Sequence, residues 1–132
     1  MLGSGPPFAP SLVGRPGEME ALYVIHFNDV SSSEMRNGGV IVLETGRVFG
    51  GDSGAFYVGS YEISGRRLRA KATVRFHDAE WENVWGDDAR EFEVCFDGEC
   101  AHDNSEIIGK MWRTDKNNVP ISVKLIRVAD LP

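Results

Sequence analysis

Residues Arg67–Phe76 read RLRAKATVRF, and this stretch decides the fold because apolar and polar side chains alternate along its whole length. Successive side chains of an extended strand point to opposite faces of a sheet, so this period of two predicts a strand with one dry and one wet face. The preceding residues 55–63 (AFYVGSYEI) also place one set of side chains on a single face, and the Ser64-Gly65 turn joins the two runs. The pair therefore predicts an antiparallel hairpin. The side chains expected to face inward are Ala55, Tyr57, Gly59, Tyr61, Ile63, Leu68, Ala70, Ala72, Val74 and Phe76.

Six further runs have the composition of strands, because β-branched and aromatic residues cluster in them between Gly, Asn, Asp and Ser. They are residues 22–27 (LYVIHF), 38–44 (GGVIVLE), 47–49 (RVF), 91–96 (EFEVCF), 106–112 (EIIGKMW) and 119–128 (VPISVKLIRV). Phe92, Val94 and Phe96 are expected to face inward in the fourth run, and Ile121, Val123 and Leu125 in the last. Glu91 and Glu93 then point outward, where they can pair with the basic stripe of the neighbouring strand.

Eight short strands joined mainly by tight turns, with no helical segment long enough for a crossover, predict an all-β fold. An eight-stranded antiparallel up-and-down, lipocalin-like β-barrel is the expected architecture, and a sandwich is the alternative. Residues 28–37 (NDVSSSEMRN) are predicted to be a polar connection. Residues 50–54 (GGDSG) are predicted to form a sharp corner or bulge with positive φ angles.

Length and charge limit the classes of protein that fit this chain. Its 132 residues suffice for one domain with a core of its own. Residues 1–18, rich in Gly, Pro and Ser, are predicted to be a flexible N-terminal leader, and residues 19–132 a single β-barrel domain. The net charge of −6 opposes binding to nucleic acid or to an anionic membrane. Neither a secretory signal nor a bilayer-spanning run is recognisable, which predicts a cytoplasmic protein.

The sequence offers no motif for catalysis, and we expect a protein that is not an enzyme and uses no cofactor. His26, His77 and His102 lie on separate segments without the spacing of metal ligands, so no metal site is predicted. The nucleophile elbow, the P-loop and the dinucleotide-binding glycine pattern are all missing from the sequence. Residues 50–52 (GGD) could form a backbone nest for an anion, although a turn capped by Asp52 explains the same residues.

Two cysteines and three tryptophans leave alternatives open. If Asp97-Gly98 forms a two-residue hairpin turn, Cys95 and Cys100 face each other at the separation that a disulfide needs. Two free thiols are the alternative, and they are the ordinary state in the cytoplasm. The segment that contains Trp81 and Trp85 is expected to cap a barrel mouth or to contact a second subunit, and Trp112 is the third large anchor.

Small inward residues predict a cavity. Gly59, Ala70 and Ala72 leave space opposite large side chains, and a barrel of eight strands can hold one small apolar ligand. The aromatic residues expected to line such a ligand-binding pocket are Tyr23, Phe27, Tyr57, Tyr61, Phe76 and Phe92. The alternative is that large side chains from facing strands fill the space, since protein cores are densely packed.

From about residue 20 to residue 131 the chain resembles a known family. The resemblance is carried by residues 22–27 (LYVIHF), 38–40 (GGV), 46–54 (GRVFGGDSG), 57–61 (YVGSY) and 123–127 (VKLIR), and the GGD corner followed by Tyr-x-Gly-x-Tyr is its most specific part. In these residues the chain is similar to the bacterial GrlR family of type III secretion negative regulators and their lipocalin-like homologues.

This resemblance implies an eight-stranded barrel that forms a homodimer and acts by protein contact. In the named regulator the partner is a transcriptional activator, which is sequestered without any contact to DNA. That contact uses an acidic run in a turn between two strands, whereas the matching turn here, residues 62–67 (EISGRR), is basic. We therefore expect a non-enzymatic regulatory protein that acts as a homodimer, and the alternative is a carrier of a small apolar ligand.

Overall fold

The computed structural model describes residues 16–29, 32–78 and 83–132. A short 3-10 helix, η1 (Pro16–Met19), precedes eight strands. The strands are β1 (Ala21–Asp29), β2 (Ser32–Glu44), β3 (Arg47–Gly51), β4 (Ala55–Ser64), β5 (Arg67–Phe76), β6 (Glu91–Cys100), β7 (Glu106–Arg113) and β8 (Lys116–Asp130). The first fifteen residues of the predicted leader lie outside the described residues, and its last three belong to η1.

The strands form a closed antiparallel barrel in which each strand pairs with the next and β8 pairs with β1. The predicted all-β, up-and-down barrel of eight strands is thus confirmed. The hairpin of β4 and β5 shows why the pattern sufficed, because Tyr57 pairs with Val74 and Tyr61 with Ala70. Residues that pair across adjacent strands lie on the same face of the sheet, so in this register the apolar side chains of both strands point to the interior.

Burial follows the predicted alternation. Along β5, Leu68, Ala72 and Val74 are buried, whereas the arginines and Lys71 between them are exposed. Phe92, Val94 and Phe96 are buried in β6, as are Ile121, Val123 and Leu125 in β8. These side chains belong to one contiguous core.

The predicted polar connection at residues 28–37 was wrong for its described residues, 28–29 and 32–37. They are not a loop, because β1 runs to Asp29 and β2 starts at Ser32, with Asp29 paired to Ser32. Similarly, Asp97-Gly98 is not a turn, because these residues pair with Arg69 and Leu68 inside β6. Ladder hydrogen bonds come from the backbone, so polar side chains and a glycine do not end a strand that has a paired neighbour.

The corner at residues 50–54 also differs from the prediction. Gly50 and Gly51 belong to β3, and neither they nor Gly54 has a positive φ. Direction changes at Asp52, whose Oδ1 accepts hydrogen bonds from the backbone nitrogens of Gly54 and Ala55, both at 2.8 Å. This carboxylate cap orders the turn without the left-handed conformation that glycine permits.

The basic outer stripe of β5 meets acidic residues of β6, although not exactly those expected. Arg75 Nε lies 2.7 Å from Glu91 Oε1, and Arg67 Nε lies 2.7 Å from Asp97 Oδ1. Glu93 stands opposite Thr73. The pairs are exposed to solvent, so each contributes little to stability while it fixes the strand neighbours.

The end of the barrel beside η1 is closed by packing. Met19 and Tyr23 are fully buried there, and Arg127 Nη1 donates a hydrogen bond to the carbonyl oxygen of Glu18 at 2.7 Å. Within residues 16–29, 32–78 and 83–132, no helix is long and apolar enough to cross a membrane.

Candidate ligand cavity

A cavity of about 540 Å³ occupies the barrel interior and extends to the end opposite η1. Its walls are mainly aliphatic and aromatic, with contributions from Ile25, Ile41, Leu43, Val48, Leu68, Val74, Val94, Phe96, Met111, Val123 and Leu125. The volume is within the range of sites that enclose a small organic ligand. Large inward side chains therefore do not fill the interior, which was the alternative to a cavity.

Four of the six predicted lining residues border this cavity, namely Phe27, Tyr57, Phe76 and Phe92. Tyr23 and Tyr61 do not, and this part of the prediction was wrong. Tyr23 donates a hydrogen bond to the carbonyl oxygen of Met19 at 2.7 Å, and burial raises its pKa to about 12. Tyr61 is also buried, which raises its pKa. Both tyrosines are buried in the core and not in the cavity wall, and η1 brings the Met19 carbonyl within hydrogen-bond distance of Tyr23.

The small inward residues have two different roles. Ala70 and Ala72 border the cavity and leave it room. Gly59 is not among the lining residues, because β5 occupies the space beside it: a Cβ atom there would lie 2.0 Å from the carbonyl oxygen of Lys71. Glycine at this position permits close contact between strands and adds nothing to the cavity volume.

The polar part of the cavity wall is built around Asp52 and Tyr57. The Tyr57 hydroxyl contacts Asp52 Oδ2 through a short hydrogen bond and lies 3.1 Å from the carbonyl oxygen of Gly38. Burial and the neighbouring carboxylate raise the pKa of Tyr57 far above its ordinary value, so the phenol keeps its proton. Asp52 accepts hydrogen bonds at both oxygens, and it borders a chamber whose walls are mainly apolar.

The segment between β5 and β6 covers part of the cavity with Asn83, Val84 and Trp85. Trp85 is buried, and its indole nitrogen donates to the carbonyl oxygen of Val119 at 2.8 Å. Its ring meets Phe92 edge to face, with the centroids 5.6 Å apart. Trp85 thus caps its own barrel, one of the two predicted roles, whereas Trp81 lies outside the described residues.

A buried arginine holds this cap in place. The side chain of Arg113 is 3% exposed, and its Nη1 lies 2.9 Å from both carboxylate oxygens of Asp87. Its Nε and Nη2 form a fork with Asp115 at 2.9 and 2.7 Å. The guanidinium also stacks on Phe92, 4.4 Å from the ring centroid. Asn83, Lys116 and Arg113 together hold the pKa of Asp87 well below its usual range.

The remaining sequence predictions concern cysteine and histidine. Cys95 and Cys100 are both free, so the expectation of two free thiols is confirmed and the alternative, a disulfide, is wrong. The two residues lie on one continuous strand, about 16 Å apart by strand geometry. Their positions differ by an odd number, so Cys95 is half-buried on the outer side and Cys100 is buried inside. Among the described residues, no group of three or more His, Cys, Asp or Glu side chains could hold a metal ion.

Sequence reasoning missed Asn83 and Arg113 as site residues. Arg113 appears in the sequence as one of many basic residues near a turn, and only the fold shows that it is buried against Phe92. Asp52 had been interpreted as a turn cap, which it is, but its place in the cavity wall depends on the closure of the barrel. No protein-family model matches the chain, and no curated protein matches it.

Proposed function

We propose that this protein is a non-enzymatic carrier that holds a small, largely apolar ligand inside the barrel. The single observation that supports this proposal is the apolar cavity of about 540 Å³, which is bordered by a few polar groups at one end. Apolar walls supply affinity through burial of the ligand, and a small number of fixed polar groups orient it. None of the catalytic motifs sought in the sequence supplies a reactive group for this chamber.

Binding of the neutral fluorescent dye Nile red would test the cavity directly. Ala72→Leu adds three heavy atoms to the cavity wall and should weaken binding of the dye by about fivefold or more, since an overfilled site costs roughly 1–3 kcal/mol. Thr73→Leu is the matched control because Thr73 is the next residue of β5 and points outward. Equal dye binding by the two variants, or no dye binding by the native chain, would refute the carrier proposal.

A second candidate function is regulation by protein contact as a homodimer, as the resemblance to the GrlR family implies. An exposed apolar patch on the outer face of β2, β3 and β4 favours it. We call this the outer patch, and it consists of the exposed residues Val40, Phe49, Phe56 and Val58 and the half-buried Val42. Register makes it continuous, because Phe49 pairs with Val42 on one side and with Val58 on the other.

The border of the outer patch carries both signs of charge. Glu44 pairs with Arg47 at one end, and the row that contains Phe56 continues into Arg75 and Glu91. A border of this kind can match a second copy of the same surface, as an isologous dimer requires. An apolar patch with a polar rim is the usual form of a protein contact surface.

Light scattering on the purified chain would test the dimer. Val58→Asp places a charge at the centre of the outer patch and should convert a dimer into a monomer. Ile108→Asp is the control, because Ile108 is also exposed but lies on β7 between Glu99 and Lys124. A native chain that runs as a monomer, or a dimer that persists in Val58→Asp, would refute a dimer built on this surface.

A further inference from the structure

Three hydrogen-bond donors in the cavity wall, the side chains of Tyr57, Asn83 and Trp85, are already engaged with the protein, and Asn28 and Ser53 are the other polar side chains that border it besides Asp52. The Tyr57 hydroxyl has one proton and two acceptors in reach, Asp52 Oδ2 and the carbonyl oxygen of Gly38. The Asn83 amide nitrogen donates to Asp87 and to the carbonyl oxygen of Ala89, and the Trp85 indole donates to Val119. The three side chains would have to break existing bonds before they could donate to a ligand.

Acceptors, in contrast, are in surplus at the same place. The Asp52 carboxylate accepts three hydrogen bonds and offers about four lone-pair positions. The phenolic oxygen of Tyr57 can accept as well as donate, and the carbonyl oxygen of Gly38 has two lone pairs. Around Asp52 and Tyr57 the cavity wall therefore offers more free acceptor positions than available donors.

The charged residues at the cavity also favour a ligand that donates hydrogen bonds. Of the described residues that border the cavity, Asp52 is the only Asp or Glu, and none is Lys, Arg or His. The nearby guanidinium of Arg113 is paired with Asp87 and Asp115, and that of Arg90 stacks on Phe76 and donates to the carbonyl oxygen of Asp78. In an apolar chamber the carboxylate of Asp52 acts through a lower dielectric than in water, so its sign matters more.

We infer that the cavity selects amphiphiles whose polar group donates hydrogen bonds, with a protonated primary amine as the best match, and that it disfavours carboxylates such as fatty acids. Asp52 is the specificity-determining residue. The inference rests on the carrier function proposed above and specifies the chemical class of its ligand.

Competition against bound Nile red would test this selection at neutral pH. Decylamine, decanol and decanoate share one alkyl chain and differ only in the polar group, so their ranking isolates the contribution of that group. Decylamine should compete best and decanoate worst, with at least about a tenfold difference between them, as expected for one close charge in a partly dry site. In Asp52→Asn the difference should fall to within about threefold, because the carbonyl oxygen of Asn can retain the two backbone hydrogen bonds while the charge is lost.

Two variants separate the local effect from the net charge and from loss of the fold. Glu62→Gln removes the same charge from an exposed position on β4 outside the cavity, and it should keep the native preference. Tyr57→Phe removes the hydroxyl but leaves the Asp52 carboxylate, so the amine should still bind best. Decanoate that competes as well as decylamine would overturn the inference while leaving the carrier function intact. A preference that survives in Asp52→Asn or disappears in Tyr57→Phe would overturn it too, whereas failure of Nile red itself to bind would refute the carrier proposal.

Discussion

Replacing Arg113 by Met would remove the charge that joins the cap to the barrel. The guanidinium is buried and forms hydrogen bonds with Asp87 and Asp115, and Met retains much of its apolar contact with Phe92. Loss of one partner from a buried ion pair costs about 3–5 kcal/mol, because the remaining carboxylates lose their counter-charge. Asp87 keeps Asn83 and Lys116 as partners, and Asp115 reaches solvent, so we expect the lower limit, about 3 kcal/mol.

Urea denaturation, followed by tryptophan fluorescence, would measure this loss. Trp85 lies in the cap and contacts Phe92, so its emission reports on the region that the substitution disturbs. Arg75→Met is the matched control. The Arg75–Glu91 pair has the same 2.7 Å separation as the Arg113–Asp115 pair, but the side chain of Arg75 is 60% exposed. The control should lose less than about 1 kcal/mol. Equal losses in the two variants would show that burial of Arg113 does not strengthen its pairing.

Three further predictions concern pH, thiols and backbone contact. The pKa values of Asp87 and Asp115 are lowered by their partners, so the stability that these groups contribute is present above the unfolded pKa near 4 and is lost as pH falls from there to the folded values. Urea midpoints should therefore begin to drop below about pH 5 and continue to drop below about pH 3, and a constant midpoint would contradict the pairing. Cys95 should react with a thiol reagent in the folded protein, whereas buried Cys100, whose pKa is raised by burial, should react only on unfolding; simultaneous reaction of both would contradict their placement. Gly59→Ala should destabilise the barrel by more than about 1 kcal/mol in a thermal melt, because its Cβ would meet backbone of β5, and an unchanged melting temperature would argue against that contact.

The barrel could be predicted from sequence because its strands alternate apolar and polar residues, and β5 does so over ten positions. The errors in predicted secondary structure occur where backbone hydrogen bonding, and not the side-chain pattern, determines whether a segment is strand. Residues 28–37 looked like a loop because their side chains are polar, and Asp97-Gly98 looked like a turn because the dipeptide is typical of one. Asp97-Gly98 and the described residues 28–29 and 32–37 are strand because a neighbouring strand supplies hydrogen-bond partners, which local composition does not reveal.

The cavity was only partly predictable for a related reason. Inward parity identifies Tyr57 and Tyr61 equally well, and Tyr23 lies in a run that is apolar on both faces, but none of these patterns gives the height of a residue along the barrel axis. That height follows from closure, which puts Tyr57 beside Asp52 in the cavity wall and Tyr23 under Met19 at the closed end. Arg113 could not be identified as a cap residue from sequence, because its partner Asp87 is 26 residues away along the chain and becomes a neighbour only on folding.

The difference between the two ends of the barrel determines how a ligand could enter. At the η1 end, Tyr23 is fully buried and hydrogen-bonded to Met19, so passage there would require opening the densely packed core. At the opposite end, the described boundary consists of the Asp52 turn, the Gly38 region and the cap that carries Trp85. A polar group fits best at this second end, because Asp52 and Tyr57 lie there and the aliphatic walls lie deeper. An amphiphile would therefore enter with its alkyl chain first and leave its donor group beside Asp52.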